Sequence, residues 1–237
     1  MKTVVILVGL LLSGGLLSAK TRVACVGDSI TWGYAMTNRV AECYPVRLQE
    51  MLGSEYEVRN FGDSGSCVYL EPKVSRSGWR PHSWYKGEQA RKAYEFKPDI
   101  VVAALGANDS GIYLNEFTYV TNGIPVTEPG LFRRTYVGIL RKFARDGRMP
   151  RIIMWTKLAP LDSRHGEHLS PAPFVMRTDL EAVAKEVGAE ALDMYTPLLP
   201  YAETEHFAAD GVHPEGAAQL EIAKRTAERI TGVTFKE

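Results

Sequence analysis

An excess of charge is the first thing this sequence lacks. Its 28 Lys and Arg residues balance 28 Asp and Glu residues over 237 positions, and no long run of one sign occurs. That pattern argues against a nucleic-acid groove or a polybasic membrane patch and favours a small neutral or mildly charged partner. Internal repeats, low-complexity stretches and an interdomain linker are also absent, so the length suits one generous domain. Cysteine is scarce: Cys25, Cys43 and Cys67 allow three pairings, and their spacing fixes none. Cys25 lies inside an apolar run and reads as a small buried residue. A Cys43–Cys67 bridge and three free thiols both stay open.

Long apolar runs are missing too, apart from one at the start. "MKTVVILVGLLLSGGLLSA" carries a single Lys, an apolar stretch from Val4 to Leu17 broken by Gly14 and Gly15, and then Ser18 and Ala19. This is the layout of a secretory signal peptide, whereas a membrane span needs about 20 uninterrupted apolar residues. The expectation is a signal peptide over residues 1–19, cleaved near Ala19, and a single domain over 20–237. The mature chain is then secreted or periplasmic, with no stable membrane association and no nucleic-acid partner. Nothing in the pattern specifies an oligomeric state.

What the remainder does contain is alternation. Apolar runs rich in β-branched residues fall at 22–27, 56–62, 99–106, 151–156 and 189–194, short and continuous as in strands buried on both faces. Helical spacing fills 44–53, 87–96, 131–147, 173–188 and 214–230, with Pro214 near a helix start and Gly53, Gly147 and Gly188 near helix ends. Five strands alternating with five helices predict an α/β fold, a five-stranded parallel sheet in a three-layer α/β/α sandwich. Right-handed crossovers place every strand's carboxyl end at one sheet edge. That edge receives Gly27 to Thr31, Gly62 to Ser66, Gly106 to Ser110 and the loop after Thr156.

Two Gly-Asp-Ser triplets, at 27–29 and 62–64, compete as nucleophile segments. Ser64 sits in a sequence like that of trypsin-type proteases, but there the histidine and aspartate precede the serine. Here His82, His165, His168, His206 and His213 all follow it. Ser29 comes directly after the strand "RVACVG", at a turn that exposes a hydroxyl above the sheet edge. A serine needs a base to take its proton. "ADGVHPEG" offers His213 with Asp210 three residues before it, a spacing that lets one carboxylate orient the ring while the other nitrogen faces the serine. "HGEH" at 165–168 lies in a loop, not on the helix that would aim both rings at zinc, so neither a metal nor another cofactor is expected.

These residues carry a resemblance. The chain after its leader resembles the SGNH/GDSL hydrolases, serine esterases with a flavodoxin-like sandwich. "GDSI" (27–30) matches the first family block and implies Ser29 as nucleophile and backbone oxyanion donor. "NFGDSG" (60–65) matches the second and implies the Gly62 amide as a donor. "GANDS" (106–110) matches the third and implies the Asn108 side chain as another, and "DGVHP" (210–214) matches the fifth, implying His213 as base and Asp210 as its orienter. Ile30 stands where the family name has leucine, without chemical consequence.

"SGWRPHSWYKG" adds Arg76, Trp79, Arg80 and Trp84 near the same edge. Aromatic faces pack on sugar rings and arginine pairs with sugar carboxylates, so these four residues are candidate substrate contacts; anchoring a long loop is the other role open to the tryptophans. The resemblance implies an esterase acting on O-acyl, and foremost O-acetyl, esters of carbohydrates, sialic acid or other glycans included. A lysophospholipase or thioesterase of the same family is the enzymatic alternative, and an inactive carbohydrate-binding module the non-enzymatic one.

Overall fold

The structure, a computed structural model, describes residues 19–72, 80–109, 120–121, 124–125, 130–158, 176–202 and 204–235. Residues 1–18 of the expected leader, Arg76, Trp79 and the 165–168 segment fall outside them. The central sheet is parallel and runs in the order β2 (Tyr56–Gly62), β1 (Thr21–Gly27), β5 (Ile100–Ala104), β8 (Arg151–Lys157), β9 (Glu190–Asp193). Every residue of β5 is buried, as are Val23 to Gly27 of β1 and Ile152 to Thr156 of β8. Strands so continuously apolar must be covered on both faces, which is why they alternate with helices.

The chain moves from β1 to β2 in one direction and from β2 through β5, β8 and β9 in the other. Right-handed crossovers therefore put α3 (Tyr44–Leu52) on one face and α4 (Glu88–Phe96), α5 (Leu131–Arg141) and α6 (Arg177–Val187) on the other. The closing helix α7 (Gly216–Thr231) packs against α3, and α5 packs against α6. Two short helices, α1 (Ser29–Trp32) and α2 (Arg39–Glu42), precede α3. Beside the main sheet stand two small pairs, parallel β3 (Ser66–Cys67) with β4 (His82–Ser83), and antiparallel β6 (Val120–Thr121) with β7 (Ile124–Pro125). The reversal of strand order between β1 and β5 is a topological switch point, where α/β sheets open a crevice for ligands.

The five expected strands stand within two residues of their sequence positions. The helix expected over 131–147 stops at Arg141, because Arg145 and Arg148 close a tight turn through Asp146 (φ 51°) and Gly147 (φ 75°), the Asp-Gly pair being the residue type that tolerates left-handed backbone there. Gly53 and Gly188 do cap helices. All three cysteines are buried and unbridged; Cys43 Sγ lies 3.5 Å from Asn60 Nδ2, and Cys67 Sγ faces the Tyr69 carbonyl.

Candidate active site

Ser29 and His213 are 184 residues apart in sequence and meet at the carboxyl edge of β1, with Nε2 of the imidazole 2.8 Å from Oγ. Asp210 completes the line, its Oδ2 2.6 Å from Nδ1. Oδ1 of Asp210 accepts the backbone N–H groups of Val212 and His213, so a tight Asx-type turn, not a regular element, sets the Asp-to-His geometry. Partial burial pushes the Asp210 carboxyl up, but the Val212 N–H and the imidazole together outweigh it, and the net direction is below the usual carboxylate range. An ionised Asp210 keeps the proton on Nδ1 and leaves the Nε2 lone pair turned toward the serine hydroxyl.

The serine opens α1, and that helix starts where it does because Asp28 caps it: Oδ1 accepts the Ile30 N–H at 3.1 Å. The first N–H groups of a helix have no intrahelical acceptor, so the Ser29 N–H is free to serve a ligand. Asn108 sits in the turn after β5 and donates Nδ2 to the Ser66 carbonyl at 2.8 Å, which pins its amide against the 63–65 turn with a second N–H in reserve.

Gly62 does not fill the role the sequence suggested. Its N–H already donates to Asn60 Oδ1 at 2.8 Å, while Asn60 Nδ2 donates to the Thr31 carbonyl. A Cβ on Gly62 would lie 2.3 Å from Trp32 N, so this position is glycine because α1 passes hard against β2. Three residues on, Gly65 turns the chain at φ 87° beside the carbonyl that holds Asn108. Its N–H finds no acceptor among the described residues, so in this segment it is Gly65, not Gly62, that keeps a donor available. Ser64 lies in the same turn.

Trp84 is corrected as well. It is fully buried, donates Nε1–H to the Phe61 carbonyl at 3.0 Å and packs edge-on against Tyr94, so it anchors its loop and cannot meet a substrate. Arg80 is exposed. Among the described residues the aromatic ring that does flank the triad is Tyr34, absent from the sequence reading. It lies 4.5 Å from the His213 ring, with the planes 47° apart, and stays 46% exposed.

Beneath the site lies a buried polar floor that sequence reasoning also missed. Burial pushes the Asp28 carboxyl up to about 7, against the opposing N–H groups of Ile30 and Ala107. Burial pushes Asp109 up to about 8, with the Val68 N–H opposing and the Asp28 charge adding to the rise. Asp109 Oδ1 accepts the Val68 N–H at 2.8 Å. The Oδ2 atoms of both carboxyls find no partner among the described residues. Gln219 of α7 is the other floor residue. Its Nε2 donates to the carbonyls of Pro214 (3.0 Å) and Ile30 (3.4 Å), and its Oε1 accepts the Tyr44 N–H at 2.8 Å. One amide thereby ties the segment carrying His213 to the segment carrying Ser29. The available signal was position: Asp28 and Asp109 follow fully apolar strands, and Gln219 interrupts the apolar face of α7.

Among the described residues no cluster of His, Cys, Asp or Glu is arranged to hold a metal, and no helix is long and apolar enough to cross a membrane. A groove lined by Glu190, Asp193, Arg225 and Arg229 runs beside edge strand β9 and contains none of the triad.

Comparison with known proteins bears on family and fold. The profile of the GDSL-like Lipase/Acylhydrolase family matches residues 25–219. An acetylxylan esterase from Xylanibacter ruminicola is 28% identical over 218 residues, covering 88% of this chain but 43% of that protein, so the chain spans under half of that relative's length. Among solved structures, the aryl esterase of M. smegmatis aligns with a TM-score of 0.61 at 18% identity, over 90% of this chain and 99% of its own. A variant of an acetyl xylan esterase from Geobacillus stearothermophilus aligns with a TM-score of 0.63 at 17% identity, over 92% and 98%. At such identities these structures speak for the fold.

Proposed function

The chain belongs to the GDSL-like lipase/acylhydrolase family, and we propose that it is a serine esterase removing O-acetyl groups from carbohydrates through an acyl-enzyme on Ser29. The observation that carries this reading is the unbroken line Asp210–His213–Ser29, with hydrogen bonds of 2.6 and 2.8 Å. His213 Nε2 takes the Ser29 hydroxyl proton as Oγ attacks the ester carbonyl. The oxyanion is held by the N–H groups of Ser29 and Gly65 and by Asn108 Nδ2. Each donor of such a hole is worth about 100- to 1000-fold in rate. The imidazolium then protonates the departing alcohol, and the Ser29–acyl bond remains. Water attacks the acyl group, gives its proton to Nε2, and the acid leaves as that proton returns to Oγ.

The carbohydrate acetyl ester, as against other esters, is supported by the acetylxylan esterase relative and by the acetyl xylan esterase fold neighbour. The leader ending near Ala19 supports export to the periplasm or beyond, with residues 20–237 as one catalytic domain. The test is acetate release from a panel of acetylated xylo-oligosaccharides and acetylated sialic acids, run beside p-nitrophenyl acetate and octanoate. Acetate released from at least one glycan, with acetate preferred over octanoate, is the expected result. A preference for octanoate with no glycan turned over would instead favour the lysophospholipase or thioesterase alternative.

A further inference from the structure

His213 must hand a proton to the departing alcohol, so that oxygen comes within hydrogen-bond reach of Nε2. The rest of the alcohol then extends over whatever flanks the imidazole. What flanks it is Tyr34, its ring centroid 4.5 Å from that of His213.

This ring is held out, not packed away. Tyr44, Tyr69 and Tyr136 are buried, whereas Tyr34 keeps 46% of its surface exposed. Its backbone N–H donates to the Ser29 carbonyl at 2.9 Å, so its position is tied directly to the nucleophile. The next residue, Ala35, sits at φ 68°, in left-handed backbone that an alanine side chain disfavours. Among the described residues two other non-glycine residues share that conformation, and both have local reasons: Lys97 caps α4, and Asp146 forms the tight turn between Arg145 and Arg148. Ala35 caps no long element. Strain of this kind collects where a fold holds a side chain for use.

We infer that Tyr34 is the floor of the alcohol-side subsite and accepts a ring-bearing alcohol by its face, the class being a pyranose whose apolar C–H face stacks on the phenol ring. The inference rests on the reading of the chain as an ester hydrolase. It also replaces the aromatic contact that Trp84, buried beneath its loop, cannot make.

The experiment measures kcat and KM for methyl acetate, phenyl acetate and an O-acetylated methyl xyloside, in the wild type, Tyr34→Ala and Tyr34→Phe. Methyl acetate has no ring on its alcohol and reports whether the triad itself is intact. Tyr34→Ala is expected to lower kcat/KM about tenfold for the two ring-bearing esters, mainly through KM, and less than about twofold for methyl acetate. Tyr34→Phe is expected to keep all three within about twofold, because the ring face is retained. An equal loss on all three esters would overturn the inference, since the ring would then only prop the imidazole. So would no loss on any of them. If no variant hydrolyses the xyloside while phenyl acetate keeps its dependence on Tyr34, the subsite stands and the carbohydrate reading falls.

Discussion

Two pairs of polar groups stand around the Ser29 segment, and they meet opposite environments. On the open side, Asp210 faces the Val212 N–H, the His213 N–H and the imidazole, and its carboxyl is held below the usual range. On the buried side, Asp28 and Asp109 face N–H groups with one oxygen each, leave the other unpartnered, and are pushed up to about 7 and about 8. A carboxylate is charged where donors and an imidazole surround it, and takes up a proton where the protein interior does. In the proposed reaction the open pair orients and polarises the imidazole because its charge persists. The buried pair ties strand ends together, Asp28 capping α1 and Asp109 holding Val68, largely without charge below neutral pH.

The strongest way to break this comparison is to remove charge from the open side. Asp210→Asn keeps the shape but lets the imidazole adopt the wrong tautomer, and kcat should fall by about 10⁴-fold. Steady-state kinetics on p-nitrophenyl acetate checks this, and a loss under about tenfold would put Asp210 outside the mechanism.

The floor should respond in stability. Gln219→Leu strands the Tyr44 N–H and the carbonyls of Pro214 and Ile30, which should cost about 1–3 kcal/mol in urea unfolding. Because the same amide links the Ser29 and His213 segments, kcat should fall with it, whereas unaltered stability would mean the three backbone groups find other partners.

A further expected effect concerns pH. Asp28 and Asp109 have raised folded-state values, so between about pH 4 and pH 8 the native state binds more protons than the unfolded chain, and stability falls as pH rises through that window. Thermal unfolding should show this decline, and Asp109→Asn, neutral at every pH, should flatten it. A wild-type stability that rises steadily from pH 5 to pH 8 would mean the floor carboxyls are ionised throughout.

The fold and the hydrogen-bonded line Asp210–His213–Ser29 could be read from the sequence because each was written in local patterns. Apolar runs such as 22–27 and 151–156 form buried strands, and the blocks around Ser29, Asn108 and Asp210–His213 sit after strands or before a helix. The errors arose where function depends on which of several equivalent groups is free. Gly62 ends β2 and Gly65 turns the chain three residues on, and only the contact with Asn60 Oδ1 distinguishes a satisfied N–H from an available one. Trp84 and Tyr34 are both loop aromatics, but burial is a property of the packed fold, and the fold buried the one and left the other beside the imidazole. Asp28 and Asp109 read as ordinary turn residues until the strands before them carry both into the core.

The central claim is that Ser29, not Ser64, is the nucleophile and that His213 draws its proton. Diethyl p-nitrophenyl phosphate reacts covalently with an activated serine, so treating the protein with it, followed by intact-mass measurement and peptide mapping, tests the claim most directly. One diethylphosphoryl group per chain, on Ser29, is expected in the wild type, with a greatly slowed reaction in His213→Ala. A label on Ser64, or rapid labelling of Ser29 that persists in His213→Ala, would contradict it.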